Sequence, residues 1–158
     1  MHLTSRQEYS AAPAAVFAML TDEAFLAEAS AAMGATRYRA TASATRTAVE
    51  ASLPTPVEVR FFAGPTVQVT QQSSWGAAGE ADAREGTFRI AVAGFPVDLS
   101  GTMRLAPAAS GSTIEYAGDL TVAVPLMGPQ VEKLAAPVIL EALQTQERVG
   151  ATWLARAR

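Results

Sequence analysis

The stretch VAVPLMGPQVEKL, residues 122–134, changes period in its middle, and no other feature of the chain constrains the fold so strongly. Up to Val124 the apolar residues alternate as on a strand. After Gly128-Pro129 they recur at helical spacing, with Val131, Leu134, Ala135, Val138, Ala142, Val149 and Trp153 on one face. A helix over 129–155 would run about 40 Å at roughly 1.5 Å per residue. A strand of ten residues covers only about 33 Å. The helix is therefore long enough to cross a sheet, and Pro137, which removes a backbone donor and crowds the preceding turn, predicts a bend in it.

The rest of the chain supplies that sheet. Residues 2–9 alternate, with Leu3, Ser5, Gln7 and Tyr9 opposing His2, Thr4, Arg6 and Glu8. Pro13 suits a first helical turn, and Val16, Phe17 and Leu20 follow at helical spacing. A second helix is expected to be capped by Thr21, to hold Asp22 and Glu23 in its first turn and to stop at Gly34. From 35 to 126 the period is two, broken by turn residues at short intervals, with Gly118 a candidate bulge. Residues 54–63, bracketed by prolines, read equally as a short helix or a strand. The expected architecture is α+β over residues 1–158 as a single domain. A curved antiparallel sheet of about seven strands has two short helices after its first strand and a long C-terminal helix across its concave face.

Much chemistry is excluded. Without cysteine there is no disulfide, thiolate zinc site or thiol catalysis. His2 is the only histidine and stands at a strand start, so neither a metal site nor a serine triad is expected, and no cofactor is called for. The glycine-rich GAAGEADAREG lacks the Lys-Ser/Thr ending of a phosphate-binding loop. Asp22-Glu23 and Glu132-Lys133 read as helix starts, and Glu141 and Glu147 fall off the apolar stripe, so no acid/base pair stands out. Twelve basic residues against fifteen acidic ones give a net charge of −3 with no basic stripe, which argues against a nucleic-acid partner. The opening MHLTSRQEYS has no leader-like pattern, and no window approaches about 18 uninterrupted apolar residues. A cytoplasmic protein without an integral membrane segment, monomeric or homodimeric, is the expectation.

The order of elements resembles the helix-grip fold of the START and Bet v 1-like superfamily, which includes polyketide cyclases and lipid-transfer domains. More narrowly, AAPAAVFAMLTDEAFL at 11–26, VTQQSSW at 69–75, GDLTVAVPLMGPQVEKLAAPVI at 118–139 and the close at 147–155 resemble the actinobacterial domain of unknown function 2505 family. The resemblance spans nearly the whole chain and rests on structural motifs. It implies a hydrophobic pocket between helix and sheet, and no catalytic residues.

Within that picture, polar residues on inward parity draw interest: Ser5, Gln7, Tyr9, Tyr38, Gln71, Ser73 and Tyr116. Each either meets a polar neighbour or helps to orient a ligand, and Tyr38, Gln71 and Tyr116 are the preferred ligand contacts. The apolar wall of the expected site is Val49, Val69, Phe88, Ile90, Leu99, Met103, Leu134, Val138 and Ala142. Ala40, Gly101 and Ala135 withhold volume from the same interior, and Phe61 and Phe62 are candidates to gate it. The expected function is binding, transport or sensing of a small hydrophobic or amphipathic molecule such as a lipid, a quinone or a polyketide-like compound. The alternatives are a cyclase or dehydratase assisted by Tyr38 or Tyr116, and a closed domain acting through protein contacts.

Overall fold

Short hairpin turns make sequence neighbours into sheet neighbours, and the computed structural model of the chain, described here for residues 1–157, follows that rule from β2 onward. The elements are β1 (His2–Tyr9), α1 (Pro13–Leu20), α2 (Glu23–Ala32), β2 (Arg37–Ala42), β3 (Arg46–Pro54), α3 (Arg60–Ala63), β4 (Thr66–Trp75), β5 (Arg84–Val92), β6 (Val97–Ala108), β7 (Gly111–Val122) and α4 (Gly128–Arg156). One antiparallel sheet has the strand order β1-β7-β6-β5-β4-β3-β2, so the first strand closes the edge beyond the last.

The register fixes which residues look inward. Thr47, Val49 and Ala51 lie beside Ser73, Gln71 and Val69, which lie in turn beside Phe88, Ile90 and Val92. Leu99, Gly101 and Met103 continue the face across β6, and Leu120, Gly118 and Tyr116 across β7. Pairing runs unbroken through Gly118, so the expected bulge is absent; the glycine is needed there because a side chain would press on Phe88 and Leu99 of the same face.

One local expectation is corrected, and one open alternative falls to the helix. Asp22, not Thr21, caps α2: its carboxylate accepts the Ala24 amide at 2.8 Å, while the Thr21 hydroxyl donates back to Phe17 O at the end of α1. The ambiguous segment holds only the four-residue α3, set in a loop between β3 and β4. In α4 the helix persists through Pro137, and the side chains it buries are Val131, Ala136 and Leu154 with Gly128 and Gly150. Leu134, expected on that buried stripe, is exposed.

The main core sits at one end. Val16, Met19, Leu20, Phe25 and Ala29 of α1 and α2 pack with Trp75, Met103, Leu105, Ile114 and Leu154. Phe17 meets Trp75 edge-on at 5.8 Å, and Phe25 meets Trp153 at 5.7 Å, so both short helices are pinned by aromatic contacts.

Candidate functional site

The closed end of the interior is polar as well as apolar, and its polar groups are satisfied. Gln7 is 1% exposed; its amide donates to Leu143 O of α4 at 2.8 Å and its carbonyl accepts the Tyr9 hydroxyl at 2.8 Å. Burial raises the Tyr9 phenol far above its ordinary range, with the charges of Tyr116 and Glu147 adding to the effect. These two residues, expected to meet either a neighbour or a ligand, belong to the fold.

Away from that end the helices stand off. The backbone of α4 approaches β1, β7, α1 and α2 closely, and α2 approaches β2. Between these two lines of cover, the inward apolar residues Val67, Val69, Ile90 and Val92 are only half-buried. The loops at this end of the sheet, β3–β4 and β7–α4, carry Val57, Phe61, Leu126 and Met127 exposed to solvent. This half-covered strip of apolar side chains on the inward face, with the core at its other end, forms a groove.

At the inner end of the groove lies a cavity of about 60 Å³. Its apolar wall is Leu20, Phe25, Leu26, Ala29 and Met33 of the first two helices and Val49, Trp75 and Met103 of the sheet. Its polar wall is Ser30, Thr47, Gln71, Ser73, Tyr116 and Gln146, and none of the lining residues is charged. Ser30 is tied to Leu26 O. The Gln146 amide reaches the Tyr116 oxygen at 3.4 Å, long for a hydrogen bond. Burial pushes the Tyr116 phenol up to about 12, partly opposed by that amide, so the group is a neutral hydroxyl at ordinary pH. Phe88 packs edge-on against the Tyr116 ring at 5.9 Å and fixes its orientation.

Of the expected ligand contacts, Val49, Gln71, Met103 and Tyr116 line the cavity together. Val69 and Ile90 flank Gln71 on the groove floor, Leu99 is buried beside Ile90, and Val138 and Ala142 are half-buried on α4. Two lie apart: Tyr38 is 45% exposed on the edge strand β2, and Leu134 is 39% exposed on α4. Phe61 is 71% exposed on α3, whereas the side chain of Phe62 lies outside the described residues. Sequence reasoning missed Thr47, which shares parity with Val49, and Gln146, a glutamine one residue from an off-stripe glutamate. It also missed the contribution of α1 and α2, which only the packing of helices on sheet reveals.

A larger hollow of about 570 Å³ is walled mainly by Ala48, Gln72, Ser74, Thr87 and Arg89, which face away from the helices, and by the β2–β3 hairpin. Most of it is a depression in the outer face of the sheet, and Thr47, Ser73 and Phe88 also border it, the first two being shared with the smaller cavity. Among the described residues no cluster of histidine and acidic side chains could hold a metal ion, and no helix is long and apolar enough to cross a membrane. His2 sits at the surface, 3.0 Å from Asp119.

A family model described as "Protein of unknown function (DUF2505)" matches residues 4–154. No curated protein matches the chain. Among solved structures, the STAR-related lipid transfer protein from Xanthomonas axonopodis is 16% identical with a TM-score of 0.65, over 98% of this chain and 85% of that one. A START superfamily protein from Mycobacterium smegmatis is 15% identical with a TM-score of 0.59, over 97% and 98% of the two chains. The di-domain ARO/CYC StfQ of the steffimycin biosynthetic pathway is 12% identical with a TM-score of 0.68, over 99% of this chain and 51% of that one. At such identities the likeness is one of fold, and the fold is the START-like helix grip.

Proposed function

The chain belongs to the DUF2505 family, and from that premise we propose that it is a non-enzymatic binder, carrier or sensor of a small apolar or amphipathic molecule. The carrying observation is the uneven interior: a core that fills one end of the concave face and a groove of half-buried valine and isoleucine side chains at the other. Neighbours of the same fold, one named for lipid transfer and one an ARO/CYC protein of the steffimycin biosynthetic pathway, support the reading.

The dimensions say how a ligand would sit. Small-molecule sites begin at roughly 300 Å³. The cavity holds about 60 Å³, so it accommodates one end of a ligand while the remainder lies along the groove. A cyclase reading would give Tyr116 a proton to move, but a phenol pushed up to about 12 by burial is a poor base near neutrality, and no cation lines the cavity to correct it.

Native mass spectrometry of the protein purified from its own host tests the proposal. A retained apolar compound, lost on extraction with organic solvent, is the expected result. Absence of any retained mass, together with no binding of the neutral fluorophore 1-aminoanthracene, would overturn it.

A further inference from the structure

The cavity combines three observations that its apolar walls do not explain. Thr47 is 7% exposed, and among the described residues its hydroxyl has no hydrogen-bond partner. Ser73, directly opposite it across the β3–β4 ladder, and Gln71, two residues along on the same face, are likewise unpartnered in the described structure. Tyr116 receives the Gln146 amide on its oxygen and so keeps its own O–H free to donate.

Polar groups that line an enclosed space are ordinarily paired. Here the buried Thr47 and the half-buried Gln71 and Ser73 face the same small volume as the Tyr116 hydroxyl without a protein partner of their own, which points to a complementary guest. Their chemistry defines it. Ser, Thr and Gln both donate and accept, and Tyr116 donates, whereas no arginine, lysine or histidine lines the cavity.

We propose that Thr47, Gln71, Ser73, Tyr116 and Gln146 form a recognition site for an uncharged oxygen-bearing group, a hydroxyl or carbonyl, at the inner end of the bound molecule. This inference rests on the binding role above and adds the class of ligand. A carboxylate or phosphate brought to the same place would lose its hydration with no opposite charge to replace it. The raised Tyr116 phenol supports the assignment, since it remains a donor throughout the physiological range.

The test uses three probes of one shape: naphthalene, 2-naphthol and 2-naphthoate, titrated at pH 7 by calorimetry and by the side-chain amide resonances of Gln71 and Gln146. The naphthol is expected to bind three- to tenfold more tightly than naphthalene, the range one or two neutral hydrogen bonds give. The naphthoate is expected to bind no more tightly than naphthalene. Only the naphthol should shift both amide resonances strongly. The variant Gln71→Leu with Tyr116→Phe should erase the naphthol advantage and leave naphthalene binding within about twofold. If that variant does not fold, Thr47→Val with Ser73→Ala is expected to reduce the same advantage. Naphthoate binding that equals or exceeds naphthol binding, or a naphthol advantage that survives both variants, overturns the selectivity while leaving the binding role in place. Failure of all three probes to bind removes both.

Discussion

A methyl group on Gly150 of α4 would lie 2.6 Å from Cε1 of Tyr9 and 3.1 Å from the terminal carbon of Met19. The glycine is therefore the point at which the long helix comes down onto β1 and α1. Two effects oppose each other in Gly150→Ala. Alanine is favoured in a helix interior by about 1 kcal/mol. Overpacking a close contact costs roughly 1–3 kcal/mol, and here the neighbour cannot swing away, because the Tyr9 hydroxyl is held by Gln7. The clash is expected to win, with a net loss of about 1–2 kcal/mol in urea unfolding. A stabilised variant would show that the helix end is free to shift.

The Tyr9–Gln7–Leu143 chain of hydrogen bonds makes a second prediction. Tyr9→Phe leaves the Gln7 carbonyl unpaired in the interior and should cost about 1–2 kcal/mol. Gln7→Leu removes both bonds at once and should cost at least as much. The double variant is expected to cost less than the sum by about 1 kcal/mol, because the second change no longer breaks anything the first left intact. Strict additivity would mean that the two side chains act independently.

These residues also show how far the sequence alone could be read. Parity placed Gln7, Tyr9, Gln71 and Tyr116 on one face, and the register of the sheet agrees for all four. Parity says nothing, however, about which stretch of that face a helix covers. Gln7 and Tyr9 fall under α4 and become structural, while Gln71 falls beside the gap and becomes available. Leu134 shows the converse limit. Its spacing fits the apolar stripe, but α4 turns Val131 and Ala136 inward on either side of it and leaves Leu134 39% exposed. Tyr38 has the right parity on β2, yet it stays 45% exposed on that edge strand even though α2 approaches it, because parity does not say which residues of a strand a helix covers. The change of period at 122–134, by contrast, fixes β7, α4 and hence the fold, because a 29-residue helix has no other surface to bury against.

Leu126, in the loop between β7 and α4, is fully exposed and has φ of 67°, a region that bulky residues occupy at a cost. Glycine there relieves the strain and sacrifices no buried surface, although it adds freedom to the unfolded chain. Leu126→Gly is accordingly expected to be neutral or stabilising by up to about 1 kcal/mol, where a typical leucine-to-glycine change would be costly. Thermal unfolding of the two proteins side by side checks it, and a drop of several degrees would mean that Leu126 packs against something in solution.

Alkaline stability should report on Tyr116. Its phenol ionises near 10.0 when unfolded and is pushed up to about 12 by burial in the fold. Between these values the unfolded chain has released the proton and the folded one still holds it. Stability is therefore intact below about pH 10 and declines as pH rises toward 12, by up to about 2–3 kcal/mol from this group. Tyr9, shifted in the same direction, adds to the decline. Tyr116→Phe should flatten the slope in this window without altering it below pH 9. Equal slopes in the two proteins would mean that the hydroxyl reaches water.

The division of the interior into a filled end and an open one is itself measurable. Leu105 and Ile90 are both inward-facing aliphatic residues, on adjacent strands of the sheet. Leu105 is completely buried within the core cluster, so Leu105→Ala removes packed atoms and leaves a void that rigid neighbours cannot close, at about 2–5 kcal/mol. Ile90 stands half-buried in the groove, where truncation only enlarges a space already open, and Ile90→Ala is expected to cost less than about 1.5 kcal/mol. The same comparison reverses for binding: Leu105→Ala should leave naphthalene affinity within about twofold, whereas Ile90→Ala removes part of the groove floor and should weaken it several-fold. Equal stability losses for the two variants would mean that the groove is closed in solution, and with it the space in which the proposed ligand lies.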